Sequence, residues 1–579
     1  MGSYKKIFII FFIFFRLNIF AGPLYKPAPG PFFEIIKSGK VNSQIIIPSK
    51  PSHLEEFAAS ELQKYFKMMS QAELPIIKEG IEKNYSYSFF IGNTRRAIDT
   101  GIKPGEEKMG SDGFRLKSIK DGIILLGKDD LGSLFAVYEL LERYFDIRWF
   151  MPGEMGLFYP INNTLKIGQV NMMYEPSFRV RWISSGDWAL HQRMNVYVTA
   201  GGKKVGINWK WNFHTFAKLI PPDKYYAGHP EYFAMVNGKR TVTESLSHGN
   251  QLCTSNPDVI REVANNIIDT LNKDPGIEVI SLSPNDGGGF CECENCCSYD
   301  EPDPDKFNLY TNRLAIFNNE VAKIVKEKYP KVLIKVGAYA MYTRPPLNEN
   351  YLPESNLLFQ LCHLYFCHNH PLGSNLCKLN ETYKPAERFL PNTEFEKILD
   401  RWLTISPHVF IYEYYSISGM SRTPLPWPLI HTMRTDIPFY RDKGIEGFYT
   451  QTSDDWGRLG LSFYIAAKLC WNADLDVDDL LDDYFEKFYG PASAPIKVYF
   501  LTMEKSMQDW NKCVSYGIQG VAGLKGIGPE IFNQETMKIM DQNLIQAERE
   551  VVNDLLYSGR VAMIRRIHEE TREVIKGVM

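Results

Sequence analysis

The stretch SLSPNDGGGFCECENC, residues 281–296, decides how this chain is read. It starts at the end of a short apolar run, Glu278–Ser283, and breaks at Pro284. It then passes through Asn285 and Asp286 into three glycines. Glycine frees the backbone, so a carboxylate can be held just past a strand end, which is where parallel barrels place their chemistry. Asn-Asp-Gly is also ordinary turn chemistry. The runs on either side decide between the two readings.

Working outward, residues 172–475 alternate short apolar runs with helical patterns, the signature of βα units. Eight candidate strands can be counted: Phe178–Ser184, Asn195–Thr199, Asn250–Cys253, Glu278–Ser283, Val332–Ala338, Leu357–Leu364, His408–Tyr414 and Ile445–Gln451. Helices fit between most of them, the clearest over Pro257–Asn272, Asn308–Lys328 and Thr393–Ile405. Eight such units predict a (β/α)8 TIM-like barrel. Residues 32–168 read as a small α/β domain, with strands at SQIIIPSK and YSFFIGN and a hairpin turning at Lys120-Asp121-Gly122. Residues 476–579 read as a helical C-terminal region.

Polar side chains gather where the predicted strands stop. Strand four delivers Asn285 and Asp286, and strand seven places Glu413 between Tyr412 and Tyr414. Strand eight ends in Gln451, Asp454, Asp455 and Trp456, while strand one carries Arg181, Trp182 and Asp187. The segment after strand two holds Trp209, Trp211 and His214. A glycosidase needs one carboxyl to protonate the leaving oxygen, and a second carboxylate or a substrate group to meet the anomeric carbon. Aromatic faces stack on sugar rings, and polar groups read hydroxyls. Asp286 and Glu413 are therefore the catalytic candidates. Asn285, Arg181, Trp182, His214, Tyr412, Tyr414, Gln451 and Trp456 are the substrate-binding candidates. Aromatic burial around Glu413 is expected to raise its pKa.

Composition narrows the class. The chain has 579 residues, 44% hydrophobic and 13% aromatic, and a net charge of -3, which argues against nucleic-acid binding as its main task. Lys5 and Lys6 precede the apolar run Ile7–Phe15, so residues 1–22 read as a signal peptide and the protein as secreted or periplasmic. Sequons at Asn84, Asn162 and Asn380 are compatible with export. No later run is long enough for a transmembrane segment. Of ten cysteines, Cys253, Cys291, Cys293, Cys296 and Cys297 crowd around the Asp286 loop. Export favours disulfides bracing that loop over a structural zinc on Cys253, Cys291, Cys293 and Cys296. No catalytic metal or cofactor is expected.

Several stretches carry a resemblance. GIILLGKDDLGSLFAVYELLERYFDIRWFMPGEMG (122–156) resembles the small N-terminal domain shared by family 20 β-hexosaminidases and family 67 α-glucuronidases. KYYAGHPEYFAMVNGKR (224–240), LCTSNPDV (252–259), the 281–296 stretch and WNADLDVDDLLDDYFEKFYGPA (471–492) resemble proteins bearing domain of unknown function 4838. That group is similar to glycoside hydrolase family 163, endo-β-N-acetylglucosaminidases acting on complex N-glycans. Family 20 enzymes carry Pro-x-Phe-x-x-Arg at strand one, matched by Pro176, Phe178 and Arg181, which implies a sugar-hydroxyl role for Arg181. Their strand-four pair is Asp-Glu, and here it is Asn285-Asp286. Asn285 lacks the charge that stabilises a cyclised acetamido group. Other retaining barrel glycosidases pair an Asn-acid at strand four with a Glu at strand seven, leaving Glu413 as nucleophile, base or ligand.

The expectation is an exported glycoside hydrolase acting on a glycan or glycoprotein. The resemblance implies a β-linked N-acetylhexosamine as the bond cleaved, with Asp286 as general acid. A non-catalytic glycan-binding barrel and a zinc-dependent protein built on the cysteine loop are the alternatives.

Overall fold

The computed structural model describes residues 24–577 apart from 82–83, 103–111, 303–305, 378–388, 417–424, 428 and 516–525. The predicted signal peptide and the Asn380 sequon lie outside the described residues.

The small domain is built on a six-stranded mixed sheet. Its elements are β1 (Ser43–Ile47), α1 (His53–Ser70), β2 (Ile76–Lys78), β3 (Tyr87–Ile91), β4 (Phe114–Ile119), β5 (Gly122–Gly127), α2 (Asp130–Phe145) and β6 (Asn171–Tyr174). The strand order is β6-β4-β5-β3-β1-β2, and the β4–β5 hairpin turns at Lys120 and Asp121. Strand side chains alternate between faces. Ile45, Phe89, Ile123 and Leu125 join the large core beneath α1 and α2, while Ile46, Phe90, Ile124 and Leu126 pack on the other face with Ala97 and Ile102. Burial on both faces explains why these strands read as unbroken apolar runs. Ser52 and Glu55 form a reciprocal capping box that starts α1, and Asp129 caps α2.

Seven parallel strands follow: β7 (Val180–Trp182), β8 (Trp209–Lys210), β9 (Val279–Ser281), β10 (Leu333–Ala338), β11 (Leu357–Cys362), β12 (Val409–Glu413) and β13 (Gly447–Thr450). Between them run α3 (Pro257–Lys273), α4 (Thr311–Lys328), α5 (Asn392–Ile405) and α6 (Ile430–Asp442), and α7 (Trp456–Trp471) follows β13. The order β7-β13-β12-β11-β10-β9-β8 is that of a curled TIM-like barrel. Its seam is spanned by residues 195–196. The Asn195 N–H donates to Arg181 O (3.1 Å), the Ile207 N–H donates to Asn195 O (2.8 Å), and Val196 bridges Ile207 in parallel. Strand two is thereby reduced to a bridge.

Strand three differs from the expectation. Asn250–Cys253 is not a barrel strand; Leu252 forms an antiparallel bridge with Phe233 in the long segment before α3. The third barrel strand is Trp209–Lys210, within residues expected to form a loop. Only two of its residues pair with β9, too few to give the sequence a strand signature.

The barrel floor is a plug of Val180, Trp182, Val196, Trp209, Val279, Leu358 and Phe410. Gly447 is required there: a Cβ at that position would lie 2.2 Å from the Phe410 ring and 2.7 Å from Val180 Cβ. Helices α8 (Val477–Tyr489), α9 (Ser493–Trp510), α10 (Gln534–Glu550) and α11 (Leu555–Lys576) form the C-terminal layer. Helices α10 and α11 are separated by a break at residues 551–554. Among the described residues no helix is long and apolar enough to cross a membrane.

Candidate active site

Asp286 stands just beyond the C-terminal end of β9. Its backbone is fixed from both sides: its N–H donates to Ser247 O (2.7 Å) and its C=O accepts from the Gly249 N–H (3.0 Å). The side chain is 36% exposed. Oδ1 accepts from the Gly287 N–H (3.0 Å) and the Tyr339 hydroxyl (3.3 Å), and Oδ2 lies 3.4 Å from His248 Nε2. His214 Nδ1 lies 2.9 Å from Pro284 O, and Nε2 is 4.0 Å from Asp286 Oδ1. That carbonyl can only accept, so Nδ1 carries the proton toward it and Nε2 faces the carboxylate. Burial pushes the His214 imidazole below its ordinary pKa, against the opposing pull of Pro284 O and Asp286. The result is a partly open carboxylate among one phenol and two imidazoles.

An aromatic wall continues from it. The Phe213 ring meets Tyr339 (5.6 Å) and Tyr412 (6.0 Å) edge-on. Tyr412 stacks on Tyr414 (4.8 Å, 14°) and meets Tyr449 edge-on (4.5 Å). Gln451 Nε2 donates to the Tyr412 hydroxyl, and Gln451 Oε1 is buried with no protein partner. A buried amide oxygen left in that state is suited to a donor arriving with a ligand. Trp182 lies lower, in the floor, against Tyr449 (4.5 Å) and Tyr197 (4.8 Å).

Four predicted site residues are placed differently. Glu413 is fully buried, and alternation along β12 turns it outward while Phe410 and Tyr412 face the barrel interior. Its carboxylate accepts from the Tyr440 hydroxyl of α6 and the Tyr414 N–H (3.2 Å), and pairs with His363 Nδ1 (3.1 Å). Burial pushes the Glu413 carboxyl up, but His363, His368 and Tyr440 together outweigh it and hold the pKa below the usual range. The expected rise is therefore reversed. Arg181 also faces outward, fully buried, pairing with Asp112 and donating to Phe178 O (2.7 Å) and Arg193 O (2.9 Å). Asn285 is buried, and its amide is committed to the Ala217 N–H (3.3 Å) and Gly249 O (2.9 Å). Trp456 packs edge-on against Trp188 (4.6 Å) at the start of α7.

The cysteine cluster is closed up beside the Asp286 loop. Sγ of Cys253, Cys291, Cys293 and Cys296 all lie within 4.8 Å of one another, with Cys253–Cys293 at 3.7 Å and Cys253–Cys296 at 3.9 Å. A disulfide needs about 2.0 Å. No disulfide joins any of the ten cysteines in this structure.

A family model described as domain of unknown function (DUF4838) matches residues 151–502. The chain belongs to this family. No curated protein matches the sequence. Among solved structures, this DUF4838 chain is similar to a GH115 4-O-methyl-α-glucuronidase with specificity for decorated arabinogalactans. The two are 12% identical with a TM-score of 0.54, over 92% of this chain and 72% of that one. It also aligns with a GH138 enzyme targeting pectin rhamnogalacturonan II (9% identity, TM-score 0.45, 92% and 69% covered). CpGH84D is a third (12% identity, TM-score 0.45, 95% and 92% covered). At this identity the first likeness establishes a shared fold.

Several residues of the DUF4838 barrel mouth escaped the sequence reading. Tyr339 directly follows β10, so the rule that found Asp286 would have found it. Lys335 and Gln360 are polar residues inside apolar strand runs, fully buried and facing the interior. Lys335 Nζ donates to Asn212 O (3.0 Å) and sits 3.8 Å above the Phe213 ring, and burial pushes its pKa well below the ordinary lysine value. Both polar atoms of Gln360 are buried without a protein partner. His248 comes from the segment between β8 and α3 and carried no periodic signal.

Proposed function

We propose that this protein is an exported glycoside hydrolase in which Asp286 protonates the leaving glycosidic oxygen. The observation that carries the reading is the half-open Asp286 carboxylate at the C-terminal end of strand four, ringed by Tyr339, His214 and His248. Proton transfer by a positioned acid contributes about 10²–10⁴-fold in rate. Tyr412 and the buried oxygen of Gln451 supply a ring-stacking face and a hydroxyl reader. Export is supported by the basic-apolar start of the sequence and by sequons at exposed Asn84 and Asn162.

Among the described residues noted at the mouth, Asp286 is the only carboxylate within 4.0 Å of His214 or His248. Glu413 is enclosed behind the strands and is not placed to meet the anomeric carbon. The resemblance to endo-β-N-acetylglucosaminidases favours a β-linked N-acetylhexosamine as the substrate. A panel of N-glycans and β-N-acetylhexosaminides, read by mass spectrometry, tests the reading. Release is expected with the unaltered protein and not with Asp286→Asn at unchanged melting temperature. Full turnover by that variant would remove Asp286 from the acid role. Among the described residues no second carboxylate pairs with His214 or His248, which also suits a glycan-binding barrel, and binding without release across the whole panel would establish that alternative.

A further inference from the structure

We infer that the protein holds two structural zinc ions, one of them at a site formed by Cys367, His370, Cys377 and Cys513. The four donor atoms lie within 4.8 Å of one another, and Cys367, His370 and Cys513 are buried. His370 Nδ1 is 3.4 Å from Cys367 Sγ, 3.6 Å from Cys377 Sγ and 3.5 Å from Cys513 Sγ. A tetrahedron with zinc–sulfur bonds of about 2.3 Å and a zinc–nitrogen bond of about 2.05 Å has sulfur–nitrogen edges of about 3.6 Å. The three measured separations fall on that edge.

The imidazole is also held in the tautomer a metal requires. His370 Nε2 is 3.0 Å from Asn511 Oδ1, so Nε2–H donates outward and the Nδ1 lone pair faces the three sulfurs. Asn392 locks the same loop, accepting from the Cys367 N–H (3.0 Å) and donating to His370 O (2.7 Å). Asn392 Oδ1 also lies 3.2 Å from Nε2 of His363, the partner of Glu413. Cys367, His370 and Cys377 follow strand β11, whereas Cys513 follows α9 of the C-terminal layer. A zinc here would bind that layer to the barrel, closing a ring through residues far apart in sequence.

The second ion belongs to Cys253, Cys291, Cys293 and Cys296, and a separate set of distances carries it. Sulfur–sulfur edges of a zinc tetrahedron are about 3.8 Å, against the measured 3.7 and 3.9 Å. The Met235 N–H donates to Cys291 Sγ (3.3 Å), and Ser255 Oγ approaches Cys296 Sγ (3.1 Å), contacts that stabilise thiolates. Cys291 lies five positions after Asp286, so this ion would stiffen the Asp286 loop. Neither site depends on the catalytic reading.

Metal content of the purified full chain, measured by inductively coupled plasma mass spectrometry, tests both sites. Two zinc ions per chain are expected. His370→Phe should lose one and His370→Cys should keep it, while Cys296→Ser should lose the other. Should a variant fold poorly, cobalt(II) added to metal-stripped unaltered protein should give the visible absorption of tetrahedral thiolate sites, at two equivalents. Metal-free protein that melts unchanged with a strong chelator, with disulfides mapped among these seven cysteines, would overturn the assignment. Zinc retained in full by both His370→Phe and Cys296→Ser would overturn it equally.

Discussion

Asp286 and Glu413 show how much a single strand position decides. Asp286 lies past the last paired residue of β9, where the backbone is free to aim a side chain into the mouth. Glu413 is one position beyond an inward tyrosine, and alternation sends it to the helix layer. The sequence could not display this, because VFIYE is buried on both faces and carries no polar alternation. Its carboxylate is expected to act on stability rather than turnover. Leaving a buried donor unsatisfied costs about 1–3 kcal/mol, and the Glu413 carboxylate engages Tyr440, the Tyr414 N–H and His363, so Glu413→Ala should lose several kcal/mol in urea unfolding at pH 7. Glu413 has a folded pKa held below the ordinary 4.5. Its contribution is therefore present above the unfolded value and is lost as pH falls through the folded one. The gap between the variant and the unaltered protein should accordingly narrow below about pH 4. Unchanged stability with abolished turnover would return Glu413 to the catalytic machinery.

At the scale of elements, six of the eight barrel strands were legible, since each is a compact apolar run followed by a turn and a helix. The other two failed for a common reason. Strand two survives as a bridge at Val196 and strand three as a pair at Trp209 and Lys210, and neither is long enough for a period to appear. Their place in the ring is set by the floor, where Val196 and Trp209 fill the space between Trp182 and Phe410. Gly447 leaves no room for a Cβ in that floor. Overpacking a filled core costs typically about 1–3 kcal/mol. Gly447→Ala should therefore lower the melting temperature by several degrees, whereas Gly444→Ala, in a turn with open space but positive φ, tests backbone strain alone. A Gly447→Ala melting temperature equal to that of the unaltered protein would show that the floor yields.

At the scale of the molecule, the small domain, barrel and C-terminal helices are joined by buried charge. Arg181 pairs with Asp112 of the small domain, Arg148 with Asp483 of α8 (2.6 Å), and Glu142 of α2 with both Arg193 and Lys468. Burial raises the Asp483 pKa, but Arg148 and Lys487 outweigh it, so its carboxyl stays below the ordinary range. These pairs predict one cooperative thermal transition for the whole chain. Asp483→Asn leaves Arg148 without its anionic partner and should separate melting of the C-terminal helices from the rest, as seen by calorimetry. Two resolved transitions in the unaltered protein would contradict the prediction. None of this pairing was legible in the sequence, because the partners lie up to 335 residues apart. The Cys513 ligand escaped for the same reason.

The most direct test of the central claim compares leaving groups. A variant lacking the proton donor fails on a poor leaving group and is partly spared on one that departs without help. Asp286→Asn is therefore expected to hydrolyse a sugar-linked β-N-acetylhexosaminide about 10²–10⁴-fold more slowly than the unaltered protein, with a much smaller loss on the nitrophenyl glycoside. Equal losses on both substrates, or none on either, would contradict the assignment of Asp286 as the acid.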